Sequence, residues 1–376
     1  MSGLQVVLVK IRQQLKEFIY LPEKIHTGHR QWLPPLYLDE WSYFNADKNP
    51  AYRDARVRLF LAYRDHLPRA RVMAIIPDRY NALHGLKTIR FAHLDSFEDQ
   101  EAVHALLHTV EIWGYENGMN ELVGPFGFSD KDPEGLLVDG FAHAPILVTP
   151  SNLPYLPPMI EAFGLSKKLD ALDYLIDLQH NIPAHYEALF QRLMKQSAYR
   201  LFEPESKRTL RPYIGKVFEL MNTAYRDLYG FMPMTTGEIA DLVRRYLPLL
   251  DVRFVKIVLS SGDDLKGFMV ALPHLTPGFQ ASRGRLLPFG WYHLWRASRT
   301  ATQLDLMLGA VAEDVRGKGL DLMLGWAMIQ SARQAGIKTM ETHLVLETNH
   351  AMRAEYERLG AQLHKRFRIY HKAIIP

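Results

Sequence analysis

Apolar residues recur along this chain in two spacings, and the order of those spacings repeats. In the second half, alternation over TQLDLMLGAVAE (302–313) predicts a strand. In RGKGLDLMLGWAMIQSARQAG (316–336) apolar residues fall at three- and four-residue steps, so Leu320, Met323, Leu324 and Ala327 predict a helix packed on a sheet and ending at Gly336. A strand over IKTMETHLVLE (337–347) follows, then a helix that starts after Asn349 and ends at Gly360. The first half has the same layout in KTIRFAHLDSF, EDQEAVHALLHTVEIWGYENG, MNELVGPF and SNLPYLPPMIEAFG.

Aligning Gly118 with Gly336 sets Glu98, Asp99, Gln100 and Glu101 opposite Arg316, Gly317, Lys318 and Gly319. Two related halves are expected, of which only the second kept a glycine loop. The break falls near Asn181, where the strand-like DALDYLIDL ends and a proline precedes a new helical pattern, giving domains 1–180 and 181–376. Each half reads as mixed α and β. In the second, a helix over IGKVFELMNTAYRDLY precedes the strands RFVKIVLSS and KGFMVALP, joined by the turn GDD.

The length of 376 residues agrees with two domains, since single cores rarely serve much beyond about 250 residues. A net charge of +4 without any run of five like charges gives no nucleic-acid signature. The absence of cysteine excludes disulfides, thiolate metal sites and cysteine nucleophiles. No run of 18 apolar residues occurs, and the N-terminal segment reads poorly as a signal peptide. Cytoplasmic residence with peripheral contact at the inner membrane is the expectation; the oligomeric state is left open.

A glycine-rich turn ahead of a helix offers unpaired N–H groups to an anion, and Arg316 and Lys318 add charge. The chain lacks the GxxxxGK[ST] phosphate loop, and Leu322 breaks a dinucleotide fingerprint starting at Gly317. His104 and His108 lack the intervening Glu of a zinc protease and a third ligand, so no metal is expected. A GxSxG nucleophile turn is absent.

The run of strand, RGKGLD loop, helix, strand and NHAMRAEYERLG resembles the GNAT family of N-acyltransferases. Arg316 and Gly319 match the first and fourth positions of its loop; Asp321 departs from the Gly or Ala of the sixth. Asn349, Tyr356, Leu359 and Gly360 fall at the family's spacing, with Ala361 where Phe is frequent. The resemblance implies two tandem GNAT-like α/β domains, each a mostly antiparallel twisted sheet flanked by helices. It implies acyl-CoA, either acetyl-CoA or a long-chain acyl-CoA, as a cosubstrate with an amine acceptor and no resident cofactor. Acyl-CoA would meet Gly309, Ala310 and Val311 through their backbone, then Arg316, Gly317, Lys318, Gly319, Leu320, Asp321 and Asn349. Tyr356 would protonate the departing thiolate.

The general base must be a carboxylate, a His or a water chain. Glu347 and His343 are preferred and Asp305 is the runner-up, with Glu313 and Glu341 also at hand. Strand alternation would set Glu341, His343, Val345 and Glu347 on one face.

The segment HLTPGFQASRGRLLPFGWYHLWRASRTA (274–301) is far longer than a hairpin connection. Its aromatics and arginines suit a lid facing a headgroup layer or long-chain ligand. A helix docked between the halves is the favoured reading for Trp291 and Trp295. WLPPLY, NPAY, FLAYRD, GPFGFSDKDPEGLLVDGF and NLPYLPPMIEAFG are similar to the bacterial ceramide synthase group of tandem acyltransferases. That resemblance implies N-acylation of a sphingoid base with long-chain acyl-CoA. Acetylation of a small polar amine, and a non-catalytic module that binds coenzyme A, are the alternatives.

Overall fold

A computed structural model of the chain describes residues 3–179, 185–196 and 198–375, so Asn181, the expected boundary, lies outside the described residues. The chain packs into two compact units. One comprises the residues up to Leu172 with Gly278–Leu294 and the C-terminal segment from Lys365; the other comprises Asp173–Pro277 and Trp295–His364.

In the first unit the strands lie in the order Leu4–Leu8, Arg56–Arg64, Leu67–Ile76, Thr88–Ser96, Glu121–Gly124 and then residues 365–373. All neighbours are antiparallel except Thr88–Ser96 with Glu121–Gly124, which run parallel from Thr88 opposite Glu121. A parallel pair needs a long crossover, supplied by the helix Gln100–Glu116. Its Val103, Leu106, Leu107 and Val110 are buried against Val72, Ala74, Ile89 and Phe91. Where the second half carries glycines, Asp99 caps this helix by accepting from the Ala102 N–H at 3.1 Å. Arg64 grips the same carboxylate through two bonds of 2.9 Å. The helix end thus already holds an internal anion, stabilised by the helix dipole.

The second unit repeats this plan with Tyr199–Phe202, Val255–Ser260, Leu265–Pro273, Gln303–Val311, Thr339–Glu341 and residues 173–177. Its parallel pair is Gln303–Val311 with Thr339–Glu341, joined through the helix Leu320–Gln334. Leu320, Met323, Leu324 and Ala327 are all buried, as their spacing predicts. Residues 173–179, which the sequence pattern assigns to the first half, pack in this unit because Leu175, Ile176 and Asp177 continue the ladder against Glu341, Met340 and Thr339.

Two expectations are corrected. IKTMETHLVLE is not one strand: it stops at Glu341 and resumes only for Val345–Leu346. Thr342 interrupts it, its hydroxyl accepting from the Tyr174 N–H at 3.0 Å while its own N–H donates to the Tyr174 carbonyl at 2.9 Å. Glu341, His343, Val345 and Glu347 therefore do not share a continuous strand face. The long segment after Pro273 forms helices Thr276–Ser282 and Gly290–Thr300, but Trp291 and Trp295 are 58% and 53% exposed and are not docked. Leu294 and Ala297 supply the buried face of that second helix instead.

Candidate active site

The parallel ladder of the second unit pairs Gln303 with Thr339, Leu304 with Met340 and Asp305 with Glu341, and there it ends. Beyond that fork Gln303–Val311 continues, paired only on its other side with Gly267–Pro273. Leu306 faces Ala271 while Leu308 faces Val270, so Met307 is an extra residue. Such a bulge bends a strand and sharpens its twist. The parted strands leave the Gly309 amide and carbonyl facing the gap. Both meet the Tyr225 hydroxyl, which donates to the carbonyl at 2.8 Å and accepts from the N–H at 3.3 Å.

The loop ahead of Leu320–Gln334 holds Gly317 at φ 74° and Gly319 at φ 82°. Side chains other than glycine rarely adopt this left-handed region. A Cβ on Gly319 would also come within 2.9 Å of Leu193 Cδ1, whereas around Gly317 the space is open. Arg316, Gly317 and Lys318 are exposed. The first helical N–H groups, those of Leu320 and Asp321, have no backbone acceptor within the helix. Glycine backbone, cations and helix end together offer the donors and charge that suit an anion.

Asp321 is exposed in the first helical turn, and its carboxylate accepts from the adjacent Leu322 N–H at 3.0 Å. A carboxylate in the first helical turn interacts favourably with the dipole. Asp321→Asn is therefore expected to change acyl-CoA affinity by no more than about threefold. Titration calorimetry of the variant with coenzyme A checks this, and a gain above about tenfold would show that the carboxylate opposes the diphosphate.

Tyr356 lies on the helix His350–Arg358, which Asn349 caps by accepting from the Met352 N–H at 3.2 Å. The Tyr356 ring is partly buried and lies 5.6 Å from the Tyr174 ring. Burial pushes the hydroxyl well above the ordinary tyrosine value, reinforced by nearby Tyr225 and Asp173. A phenol in that state holds its proton at neutral pH, and the upward shift makes it a weaker acid than an exposed tyrosine. Tyr225, Tyr174 and Asp173 were not singled out in the sequence. Their periodicity marks only a helix and a strand, and nothing local signals that residues 173–177 join the second unit.

At the fork sits a buried polar group. Asp305 is 2% and Glu341 1% exposed, and the Gln303 amide donates to both carboxylates, at 2.9 and 2.7 Å. His274 Nδ1 lies 2.9 Å from Asp305 Oδ2. Burial raises the Asp305 pKa, and the His274 hydrogen bond opposes that shift. A carboxylate made more basic by burial, with a His beside it, is suited to accept a proton. His343 and Glu347 lie past the end of the ladder. His343 Nδ1 is 3.4 Å from the Leu344 carbonyl, and the Glu347 carbonyl accepts from Arg353 at 2.9 Å.

Two like-patterned units, one with strands that part after Asp305, give the architecture of tandem GNAT proteins, and the comparisons with known proteins agree on that fold. No family profile matches the chain. Bacterial ceramide synthase from Caulobacter vibrioides is 29% identical over 386 aligned residues, covering 99% of this chain and 98% of that protein. Protein YghO from Escherichia coli is 27% identical, covering 96% and 94%. Among solved structures, a tandem GNAT protein from the clavulanic acid biosynthesis pathway superposes with a TM-score of 0.55 at 14% identity, covering 99% of both chains. The chain is thus similar over its full length to a bacterial ceramide synthase and shares the fold of a tandem GNAT protein.

Proposed function

We propose that the second unit transfers a long-chain acyl group from acyl-CoA to the primary amine of a sphingoid-type base. The observation that carries this reading is the fork after Asp305, with the Gly309 backbone presented beside the glycine loop and Tyr356. The full-length similarity to bacterial ceramide synthase supports the choice of amine.

The diphosphate of acyl-CoA would rest on the loop from Arg316 to Asp321, with the charges of Arg316 and Lys318 beside it. The pantetheine amides would take the Gly309 and Val311 backbone groups, which requires the Tyr225 hydroxyl to release Gly309. The acceptor must be a neutral amine, since an ammonium has no lone pair. We assign proton removal to Asp305 with His274 in place of Glu347 or His343, because the former pair is buried at the fork. The amine nitrogen forms a bond to the thioester carbonyl carbon, the C–S bond breaks with its electrons on sulfur, and Tyr356 supplies the proton that neutralises the thiolate. The Tyr356 phenolate then regains a proton from solvent.

The first unit is assigned a supporting role, because Asp99 and Arg64 already fill its helix end. Among the described residues no helix is long and apolar enough to cross a membrane. The enzyme would reach a membrane-held amine from the cytoplasm as a peripheral protein.

Mixing the purified protein with sphinganine and acyl-CoA donors of increasing chain length tests the reading by mass spectrometry. The expected product is the N-acyl amide, formed fastest with long chains. A long-chain acyl-CoA at a hundredfold excess over its Kd should add about 2.7 kcal/mol of stability. Turnover only with acetyl-CoA and a polar amine would assign a small-molecule acetyltransferase. Binding of coenzyme A without turnover on any amine would assign a binding module.

A further inference from the structure

The segment between Arg283 and Arg299 has a fixed base and an exposed apolar tip. At the base, Arg285 donates to both Glu23 oxygens, at 3.1 and 2.9 Å, and stacks over the Tyr37 ring at 4.9 Å. The Gly284 carbonyl accepts from the Tyr37 N–H at 3.1 Å. The Gln280 amide donates to the carbonyls of Arg30 and Trp32 at 2.8 and 3.0 Å. Two glycines make the turn tight: a Cβ would strike the Pro35 carbonyl oxygen from Gly284 and the Arg285 carbonyl oxygen from Gly290.

Beyond this base Leu287 and Phe289 stand 77% and 70% exposed, next to Trp291. The Trp291 indole N–H donates to the Pro288 carbonyl at 3.1 Å, so the ring brings no unsatisfied donor into an apolar phase. Tyr292 and Trp295 lie beside it along the helix, also exposed. An exposed cluster of this size on a soluble chain marks a surface that something covers.

Charge selects the occupant. Between His274 and Ala301 the sequence carries four arginines and no acidic residue. Glu23 pairs with Arg285 and also feels the Arg283 charge, and Asp251 feels that of Arg299; Arg283, Arg296 and Arg299 are all exposed to solvent. Aromatic rings at the headgroup level with arginines against anionic lipid are the composition of a membrane-surface element. A protein partner would match shape and hydrogen bonds; an exposed run of Leu, Phe and Trp in a segment that carries arginines and no acidic residue of its own matches a fluid anionic interface.

We propose that residues 283–299 form a preorganised wedge that docks this protein on an anionic bilayer surface, with Leu287, Phe289 and Trp291 inserted and Arg296 and Arg299 at the phosphates. The wedge does not rest on the acyl-transfer reading, so its test omits acyl-CoA and amine.

Flotation of the full-length protein with phosphatidylglycerol-containing vesicles should show binding at least about tenfold tighter than with phosphatidylcholine alone, weakened by salt. The double variant F289S/W291S should bind at least about tenfold less. R296E/R299E should lose the preference for anionic vesicles. Lipid brominated near the headgroup should quench tryptophan emission in the wild type and lose most of that effect in Trp291→Phe, a variant that keeps the fold if the double one does not. Absence of vesicle binding, equal binding by wild type and F289S/W291S, or no quenching would overturn the proposal. So would a sedimentation measurement showing that the double variant abolishes a dimer while vesicle binding persists, which would give the patch to a second copy of the chain.

Discussion

Tyr356→Phe is expected to lower kcat by about 10²- to 10⁴-fold while leaving KM for acyl-CoA within about threefold. The substitution keeps the ring that packs 5.6 Å from Tyr174 and removes only the hydroxyl. Stability should therefore fall by no more than about 1.5 kcal/mol, the scale of one hydrogen bond. The pH dependence is specific. Burial raises the Tyr356 pKa, so the neutral phenol is the form the fold favours. The stability linked to it is fully present below the ordinary tyrosine value near 10 and is lost only as pH rises through the higher folded value. From pH 6 to 9 the hydroxyl stays protonated, and the ratio of wild-type to variant kcat should be flat. Steady-state kinetics across that range check it. A variant with wild-type kcat would reduce Tyr356 to a packing residue and move the acid to another group, with Tyr225, which meets the Gly309 backbone, the alternative.

Periodicity carried the fold in this sequence where an element has one buried face. The helix Leu320–Gln334 buries the four residues its spacing predicts, because a crossover helix on a sheet must hide one stripe. The glycine loop was legible for a related reason: two residues at positive φ restrict the sequence to glycine almost regardless of context. The strand over 337–347 was misread because alternation reports which side chains could face a core, and cannot report that the Thr342 hydroxyl takes over a neighbouring amide. Trp291 and Trp295 misled in the opposite direction. Large apolar rings suggest burial, yet the residues that pack from that helix are the smaller Leu294 and Ala297.

The pairing of Asp305 with His274, proposed above as the base, was only half legible. Asp305 stood among several acidic residues near the two strands, and its distinction is tertiary: it is the last residue of the parallel ladder, and His274 reaches it from 31 positions away. Tyr225 shows the same limit. Nothing in its helical segment indicates that its hydroxyl will meet both backbone groups of a glycine 84 residues on. Residues that a motif fixes through their own backbone can be read from one sequence. Residues that act by meeting a distant strand cannot.

Gly319→Val should have the larger effect on donor binding, weakening acyl-CoA affinity by at least about a hundredfold, or roughly 2.7 kcal/mol. Two separate penalties act at this position. A β-branched residue at φ 82° is a backbone outlier that costs about 1–3 kcal/mol. Its Cβ would also sit 2.9 Å from Leu193 Cδ1, closer than carbon atoms pack. The chain can relieve both by rotating Gly319 out of the left-handed region, which turns the first helical N–H groups away from the anion. Part of the strain would then appear as lost ligand affinity and the rest as a lower melting temperature, by roughly 2–4 °C per kcal/mol. Gly317→Ala separates the two penalties. It meets the same backbone restriction at φ 74° but has open space around its Cβ, so it should cost about 1–2 kcal/mol in stability with a smaller loss of affinity. Adding Leu193→Ala to Gly319→Val should restore affinity only in part, since it removes the clash and leaves the φ restriction. Calorimetric titration with coenzyme A, beside thermal melts of the four proteins, measures both quantities. Unchanged affinity in Gly319→Val would take the diphosphate away from this loop, and with it the main reason for placing the chemistry in the second unit.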